Sequence, residues 1–418
     1  MRFSVKSDGN WRALRHRNFR ILYPANAASN VGGWVQRIAQ DWLVLELTNS
    51  GFYLGLVTAL QFAPVWFVSM PGGALADRFN KRKVLMVTNF IAGLTSLSLG
   101  LLVITDSVQI WHVMVIAFVL GLADATDKPV RQSFVSEMVG ITDMPNAVSL
   151  NSANFNFGRL VGPALSGLLI AAFGTGPAFL INAFTYVLVI IVMSNIRESE
   201  LFREPRTPGP TTIREGIRYV LARPDIFVVM SVVFFVTTFG LNFQLFNALM
   251  ATKVFDKGVT TFGLMGTIIA TGSLSAALFS PRIEKYRSTK FVTASAFCFG
   301  FSLLLIAFMP TFETYILILP IAGALALTTM IAANSTIQTN SDSAIRGRVL
   351  GIYQLVFLGG APLVTPLLGL FSEAFGIRKT IILCAAVTIL APTLIWLKFK
   401  NRLAVPADIS IAAVLKTA

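Results

Sequence analysis

Apolar stretches long enough to span a membrane recur along the whole chain and alternate with short polar segments. A bilayer core of about 30 Å needs about 20 residues of α-helix. The pattern predicts twelve such helices, at residues 19–47, 51–75, 84–104, 109–127, 147–173, 178–196, 225–250, 261–281, 289–309, 314–337, 348–374 and 379–398. The expected fold class is therefore an all-α membrane protein with twelve transmembrane helices.

The distribution of lysine and arginine supports this count. Of the 34 cationic residues, 28 lie in segments on one side of the predicted membrane and four lie on the other side. Lysine and arginine accumulate in cytoplasmic loops, so both termini are predicted to be cytoplasmic in a multi-pass protein of the cell inner (plasma) membrane. The remaining two, Arg37 and Arg159, fall inside predicted helices.

Composition narrows the class of protein. The chain is 55% hydrophobic and only 13% charged, whereas soluble domains carry about 25% charged residues. In a soluble protein, a net charge of +14 would suggest that the partner is nucleic acid. Here the cations lie in loops between apolar stretches, so the expected partner is the lipid bilayer and not nucleic acid.

Phosphate-binding loops, metal-ligand clusters and nucleophile elbows are not recognisable. We therefore expect neither an enzyme nor a cofactor or metal, and energy from a gradient rather than from ATP.

An internal repeat divides the chain into two halves. The loop Gly73–Leu85 has a degraded copy 207 residues later, where Glu284-Lys285-Tyr286 repeats its acid-base-aromatic triplet. Residues 147–174 likewise align with residues 349–376. Repeats of this kind are typical of membrane transporters, whose substrate site lies between them near the bilayer midplane.

The repeat predicts the domain boundaries. We expect a six-helix N-terminal half at 1–196, a cytoplasmic linker at 197–224, a six-helix C-terminal half at 225–398 and a cytoplasmic tail at 399–418. The linker is rich in charge and proline. Within it, residues 213–222 have the pattern of a short amphipathic helix on the membrane surface.

The first loop carries a family resemblance. Its sequence follows the pattern G-x-L-A-D-R-x-G-R-K-x-x-L, with Asn80 in place of the second glycine; the matching residues are Gly73, Leu75, Ala76, Asp77, Arg78, Lys81, Arg82 and Leu85. In this the chain resembles the major facilitator superfamily. The resemblance implies two pseudo-symmetric six-helix halves and secondary transport.

Two further stretches resemble the drug and siderophore efflux branch of that superfamily. The fifth predicted helix is similar to the G-x-x-x-G-P-x-x-G-G pattern of exporters, through Gly158, Gly162, Pro163 and Gly167. Residues 123–139 resemble macrolide-type efflux proteins and the enterobactin exporter, a branch also labelled transmembrane secretion effector. Ala117 occupies a position where many drug/proton antiporters carry arginine.

Polar residues in the first predicted helix are the main candidates for a transport site. Asn26, Asn30, Arg37 and Asp41, with Gly33 between Asn30 and Arg37, recur every three or four residues and so share one helix face. A charge at bilayer depth costs at least about 2.5–3.5 kcal/mol on insertion scales. Arg37 and Asp41 are thus either an ion pair that fixes packing or a cavity site that binds substrate and protons.

Arg159 and Asn242 are the other candidates for this cavity. Arg159 either attracts an anionic substrate or serves as a counter-ion for an aspartate. Asn242 belongs to a polar, uncharged seventh predicted helix.

The family resemblance also implies a cytoplasmic gate. Its residues would be Gly73, Asp77, Arg78, Lys81 and Arg82 in the loop, and Asp124, Asp127 and Arg131 at the inner end of the fourth helix. A gate needs charges that pair in one state and separate in the other; the alternative is a set of solvated loop charges.

These observations predict a monomeric secondary transporter that exports an amphipathic small molecule, drug-like or siderophore-like, by proton antiport through alternating access. One alternative is a proton-coupled importer of the same fold. Another is a membrane scaffold or sensor that transports nothing.

Overall fold

A computed structural model describes residues 9, 11–68, 79–202, 213–283, 288–342 and 345–402 of the 418-residue chain. These residues are almost entirely helical, which confirms the all-α prediction. By contacts between Cα atoms they divide into two compact units, one of residues 1–207 with 257–267 and one of residues 208–256 with 268–418. The division at 207/208 lies inside the predicted linker.

Within the described residues, five α-helices lie wholly in the first unit, and a short 3₁₀ helix, Arg12–Arg15, precedes them. They are α1 (Arg17–Thr48), α2 (Gly51–Phe62), α3 (Lys81–Ile104), α4 (Ile110–Phe173) and α5 (Gly176–Ser194). Helix α1 packs against α4 and α5, and α3 also packs against α4 and α5. Buried apolar side chains from these helices form the interior of the unit, with Phe19, Leu22, Leu85 and Phe134 among them.

The second unit contains nine helices within the described residues. They are α6 (Ile213–Ala222), α7 (Pro224–Phe235), α8 (Phe243–Leu249), α9 (Val259–Ile283), α10 (Thr289–Phe308), α11 (Phe312–Asn340), α12 (Arg346–Gly359), α13 (Ala361–Phe375) and α14 (Ile377–Phe399). The first residues of α9, up to Thr267, group with the first unit. Helix α6 occupies the segment that was predicted to form a short amphipathic helix.

Ten helices in the described ranges are long and apolar enough to cross a membrane. Two of the twelve predicted helices are not counted separately, for different reasons. The first, α1, carries a polar stripe that lowers its hydropathy. The fifth is counted together with the fourth, because the helical segments before and after the kink at Gly140 are both included in α4.

The fourth and fifth predicted helices meet at a kink instead of being joined by a long inner loop. Residues 128–146 were expected to lie between two helices, but they are helical apart from one residue. Gly140 has φ 70° and ψ 171°, a conformation that favours glycine because it has no Cβ. A sharp bend at a single glycine therefore replaces a loop.

The seventh predicted helix, which contains several polar residues, is interrupted. Helix α7 ends at Phe235, a π-helical turn follows at Val236–Gly240, and the chain resumes as α8 and a second π-turn at Met250–Val254. Such turns are rare and leave backbone groups to be paired by other means. The eleventh predicted helix comprises α12 and α13, and Gly360 between them keeps a right-handed helical backbone.

One pair of glycines shows the internal repeat in the backbone. Gly174 follows the last residue of α4 with φ 77°, and Gly376 follows the last residue of α13 with φ 88°. These are residues that the sequence repeat aligns. Left-handed glycine is a common way to end a helix, so the same helix end occurs in both halves of the sequence.

Candidate functional site

Arg37 of α1 lies against aromatic rings from two helices. Its guanidinium carbon is 5.2 Å from the ring centroid of Trp34 and 5.9 Å from that of Phe62 in α2. Trp34 in turn makes an edge-to-face contact with Phe155 of α4, with centroids 5.9 Å apart. A desolvated cation over an aromatic face is stabilised by about 2 kcal/mol. The cation is thus held beside flat apolar surfaces at membrane depth.

Asp41 lies one helical turn beyond Arg37 and is only 4% exposed. Arg37 is close enough to interact electrostatically with this carboxyl. Burial of a carboxyl in a membrane helix is costly unless it has partners or changes its protonation state. These two residues therefore form the charged part of the α1 stripe. Arg159 on α4 and Asn30 on α1 are partly buried.

Gln36 is the centre of a buried polar cluster that no sequence pattern singled out. Its side-chain oxygen accepts hydrogen bonds from Ser96 of α3 and Asn182 of α5, both at 2.6 Å. All three side chains are almost completely buried. The cluster connects three helices of the first unit, and it holds α1 in a fixed rotation that presents Arg37 and Asp41. Helical spacing placed Gln36 beside the stripe, but its partners are far apart in sequence.

Asp127 and Arg131 are the centre of a group of polar contacts that joins α1, α3 and α4. Asp127 accepts from Arg131 Nε at 2.6 Å and Nη2 at 2.9 Å. It also accepts from Thr88 at 2.9 Å and from Asn89 at 3.0 Å, both on α3. Arg131 Nη1 donates to Asn26 of α1 at 2.8 Å. The position of Asn26 on the stripe predicted a place in the cavity with Arg37. In the structure, Asn26 instead contacts Arg131, one of the predicted gate residues.

The other predicted gate residues have different surroundings. Lys81 forms an ion pair with Glu137. Arg82 donates to the carbonyl oxygen of Ser194 at 2.7 Å. Asp124 is more exposed, with Lys128 at 3.7 Å. Gly73, Asp77 and Arg78 lie outside the described residues. Glu137 was missed at the sequence level, because it is 56 residues from its partner and follows no motif of the loop.

The glycines of the predicted exporter motif are contact points between helices. A Cβ added at Gly162 would lie 2.4 Å from the Cβ of Trp34, and one at Gly158 would lie 3.0 Å from the carbonyl carbon of Asn30. Small residues allow helices to approach this closely in membranes. Gly167 and Pro163 contact residues of 257–267 within the same unit, namely Thr260, Gly263 and Gly266. The motif therefore brings Trp34 and Arg37 close to α4.

Asn242 lies at the interruption that follows α7. Its side-chain nitrogen donates to the carbonyl oxygens of Thr238 at 2.8 Å and Phe239 at 3.0 Å, and its oxygen accepts from Thr365 at 3.1 Å. Gly360 makes room for the Thr238 side chain, since a Cβ there would lie 1.8 Å from the Thr238 hydroxyl. Both amide hydrogens of Asn242 are thereby used to pair carbonyls freed by the π-turn. This geometry favours a role in holding the helix break over a contact with substrate.

We expect the replacement of Asp127 by alanine to destabilise the protein by about 3 kcal/mol, because it leaves the guanidinium of Arg131 partly buried without its carboxylate. Thermal unfolding of the purified protein in detergent measures the effect. The matched control is Asp124→Ala, three residues earlier on the same helix. Its carboxylate is 39% exposed, and exposed ion pairs contribute about 0–1 kcal/mol. Equal losses in the two variants would contradict this interpretation of the Asp127 contacts.

A second cluster, also missed at the sequence level, fastens the segment before α1 to α4. Asp143 is 1% exposed and lies 3.3 Å from Arg12, 2.8 Å from Arg15 and 2.7 Å from His16. It belongs to the inner segment 128–146, outside the apolar stretches on either side. Burial opposes ionisation of this carboxyl, but its hydrogen bond to His16 and the charge of Arg15 outweigh burial and hold its pKa below the usual 3.8.

This anchorage is expected to depend on pH in one direction. A carboxyl with a lowered pKa contributes stability that is complete above 3.8 and is lost as the pH falls through the pKa in the folded protein. Hydrogen exchange of residues 11–18, corrected for intrinsic rates, measures it. In Asp143→Asn, exchange should already be fast at neutral pH and insensitive to acidification. Slow exchange in that variant at neutral pH would mean that the cations do not hold the segment.

Comparison with known proteins agrees with the class of protein that this fold and site define, a multi-pass membrane transporter. The chain matches the transmembrane secretion effector family over residues 8–413 and belongs to that family. Its resemblance to the efflux branch of the major facilitator superfamily is confirmed.

Among the described residues, no group of three or more His, Cys, Asp or Glu could hold a metal ion.

The relatives are transporters. The chain is 24% identical to a staphyloferrin A transporter of Staphylococcus aureus, over 84% of this chain and 88% of the relative. It is 25% identical to the multidrug efflux pump Tap of Mycolicibacterium fortuitum, over 86% and 90%. It is 20% identical to macrolide efflux protein A of Streptococcus pyogenes, over 92% and 96%.

Solved structures show the same fold at lower identity. A bacterial homologue of the human lysosomal transporter Spinster, in an inward-facing and occupied conformation, has a TM-score of 0.74 at 15% identity and covers 92% of this chain and 97% of that one. A D-xylose–proton symporter has a TM-score of 0.71 at 15% identity, with 91% and 97% covered. The major facilitator fold predicted from the sequence is therefore confirmed.

Proposed function

We propose that the protein exports an amphipathic small molecule, drug-like or siderophore-like, across the plasma membrane by proton antiport. The observation that carries this proposal is the charged part of the α1 stripe, in which Arg37 lies over two aromatic rings and the buried Asp41 follows one turn later. Aromatic surfaces beside fixed polar groups suit a ligand with apolar and polar parts. The names of the relatives, which include multidrug and macrolide efflux, support export.

Asp41 is the proposed proton carrier. In an antiporter, proton and substrate must not be bound together, so protonation of the carrier has to weaken substrate binding. A carboxylate that accepts hydrogen bonds from a substrate, or attracts its positive charge, meets this condition because protonation removes both interactions. Arg37 and Trp34 would hold the rest of the ligand. Arg159 and Asn30 would complete the polar lining, whereas Asn242 would act through the helix break.

The remaining parts of the proposal concern architecture. Two six-helix halves, residues 1–196 and 225–398, would alternate access to a midplane site, as in other transporters built from repeats. A gate of mainly charged residues would close the cytoplasmic side. It would consist of Asp124, Asp127, Arg131, Lys81 and Arg82, together with the loop residues Gly73, Asp77 and Arg78. Both termini would be cytoplasmic, and one chain would be sufficient for transport.

Transport in everted membrane vesicles tests the function. Candidate cargoes come from a susceptibility panel of antibiotics and siderophores on a strain that lacks the gene. A proton-driven exporter takes up labelled cargo into everted vesicles when they are acidified inside, and a protonophore abolishes this uptake. Accumulation in energised intact cells would instead show an importer. A membrane scaffold would give neither result.

A further inference from the structure

Helix α6 is fixed to the second unit by one face. Tyr219 is 1% exposed, and its hydroxyl accepts from the backbone N–H of Asp342 at 3.2 Å. Glu215 forms an ion pair with Arg348 of α12. Gly216 lies against Ile352 and Arg348, where an added Cβ would be 2.9 Å from Ile352. These contacts on neighbouring turns fix the rotation of α6 and therefore determine which side chains point away from the unit.

The residues that point away form a mixed apolar and basic face. Ile217 is 47% exposed and Leu221 is 64% exposed. Arg214 is exposed and Arg218 partly exposed on the same side. At about 100° per residue, the four side chains fall within about 100° of the helix circumference. Two aliphatic side chains flanked by two cations are typical of helices that lie in the interface of a membrane.

The position of α6 places it next to the end of an apolar segment that can span the membrane. Helix α6 ends at Ala222, and the apolar helical segment 224–254, long enough to span the bilayer, begins two residues later. Arg223 holds this junction, with Nε and Nη2 each 2.9 Å from a carboxylate oxygen of Asp225. Asn340 of α11 donates to the same carboxylate at 3.0 Å. A helix joined this closely to a spanning segment is within reach of the lipid headgroups.

We propose that the exposed face of α6 binds the surface of the lipid bilayer, with Ile217 and Leu221 among the acyl chains and Arg214 and Arg218 on anionic headgroups. A single ten-residue helix buries too little apolar area to bind a membrane strongly by itself. Here the contacts to the second unit have already ordered it, so the entropic cost of binding is low. The charge of the face selects anionic over neutral lipid. The inference does not depend on what is transported or in which direction.

Site-directed fluorescence quenching in nanodiscs tests the contact. A bimane label is attached at Leu221→Cys after Cys298 and Cys384 have been replaced by serine and alanine. Nitroxides on lipid chains should quench this label strongly, and aqueous acrylamide should quench it weakly. The control is Ser199→Cys, an exposed position in the linker, where the two quenchers should act in the opposite order.

The outcomes separate the possible occupants of this face. Quenching of the Leu221→Cys label by acrylamide alone would show that the face is open to water. Protection from both quenchers would show that protein covers it, such as a second copy of this chain. Either result would overturn the proposal.

A second measurement uses the unlabelled protein with its own cysteines, so that its result does not depend on the label or on the cysteine replacements. Phosphatidylglycerol should raise the thermal stability of the wild type more than phosphatidylcholine does. This preference should be lost in Arg214→Gln/Arg218→Gln, because each arginine near the surface contributes about a fivefold factor in association with anionic membranes. An unchanged preference in the double variant would contradict the role of the two arginines.

Discussion

Replacement of Gly272 by alanine should strongly destabilise the second unit. A Cβ at this position of α9 would lie 1.8 Å from the carbonyl oxygen of Pro320 in α11, and 2.5 Å and 2.7 Å from its carbonyl carbon and Cα. These are backbone atoms, so no side-chain rotation can relieve the clash. The two helices must separate, and the hydrogen bond from Ser273 to the Gly323 carbonyl, 3.1 Å, lies at the same contact. Overpacking of this kind costs about 1–3 kcal/mol or more.

The same substitution at Gly351 is the matched control. Gly351 lies inside α12, and a Cβ added there would meet no neighbouring atom within 4 Å. Alanine should stabilise this helix by about 0.5–1 kcal/mol, because glycine loses more conformational entropy on folding. The thermal unfolding temperature in detergent should therefore move down for Gly272→Ala and slightly up for Gly351→Ala. If both variants moved in the same direction, the contact between α9 and α11 would not be the cause.

Asp41→Asn is expected to reduce proton-driven efflux to the level of vesicles that contain no protein. The asparagine has nearly the same shape but cannot bind and release a proton, so an imposed pH gradient no longer drives transport. Exchange of labelled for unlabelled substrate in the absence of a gradient should persist at a raised substrate concentration. Arg37 and its aromatic neighbours still bind the ligand, whereas the contact to the Asp41 carboxylate is lost. Comparing the two assays separates loss of coupling from loss of binding.

Glu46→Gln on the same helix is the control for this second result. Glu46 is exposed and accepts a hydrogen bond from Trp42 at 2.7 Å, an interaction that glutamine can keep. This variant should retain proton-driven efflux. Full gradient-driven efflux in Asp41→Asn would contradict the assignment of Asp41 as the proton carrier. The proposal of export would be unaffected, because the vesicle assay tests it separately.

Helix content and family were accessible from the sequence because both depend on local patterns. A stretch of about 20 apolar residues can satisfy its backbone in a bilayer only as a helix or in a closed barrel. The first-loop motif and the repeat each consist of contiguous stretches of sequence. They could therefore be recognised without knowing which residues are in contact. The same holds for α6, whose amphipathic period appears in ten residues.

Interruptions in the helices were not accessible in the same way. The polar residues of segment 225–250 do not by themselves indicate a break. In the structure, Thr365, 123 residues later, donates to Asn242 beside the π-turn, and Gly360 leaves space for Thr238. The segment 128–146 is the converse case, because a loop was expected there and the structure has helix. The chain bends at a single residue, Gly140. Both cases depend on how distant or single residues satisfy the backbone.

Hydrophobic length, cation placement and a local motif are properties of neighbouring residues, and they were sufficient to identify a membrane protein of the major facilitator type. Which polar residues act together became apparent only in the packed helices. The packing placed Asn26 with Arg131, placed Arg37 over Trp34 and Phe62, and revealed Gln36 and Asp143 as centres of buried clusters. Hydrogen bonds and ion pairs act over a few ångströms, and the helix packing that brings these partners together is not encoded in their spacing along the chain.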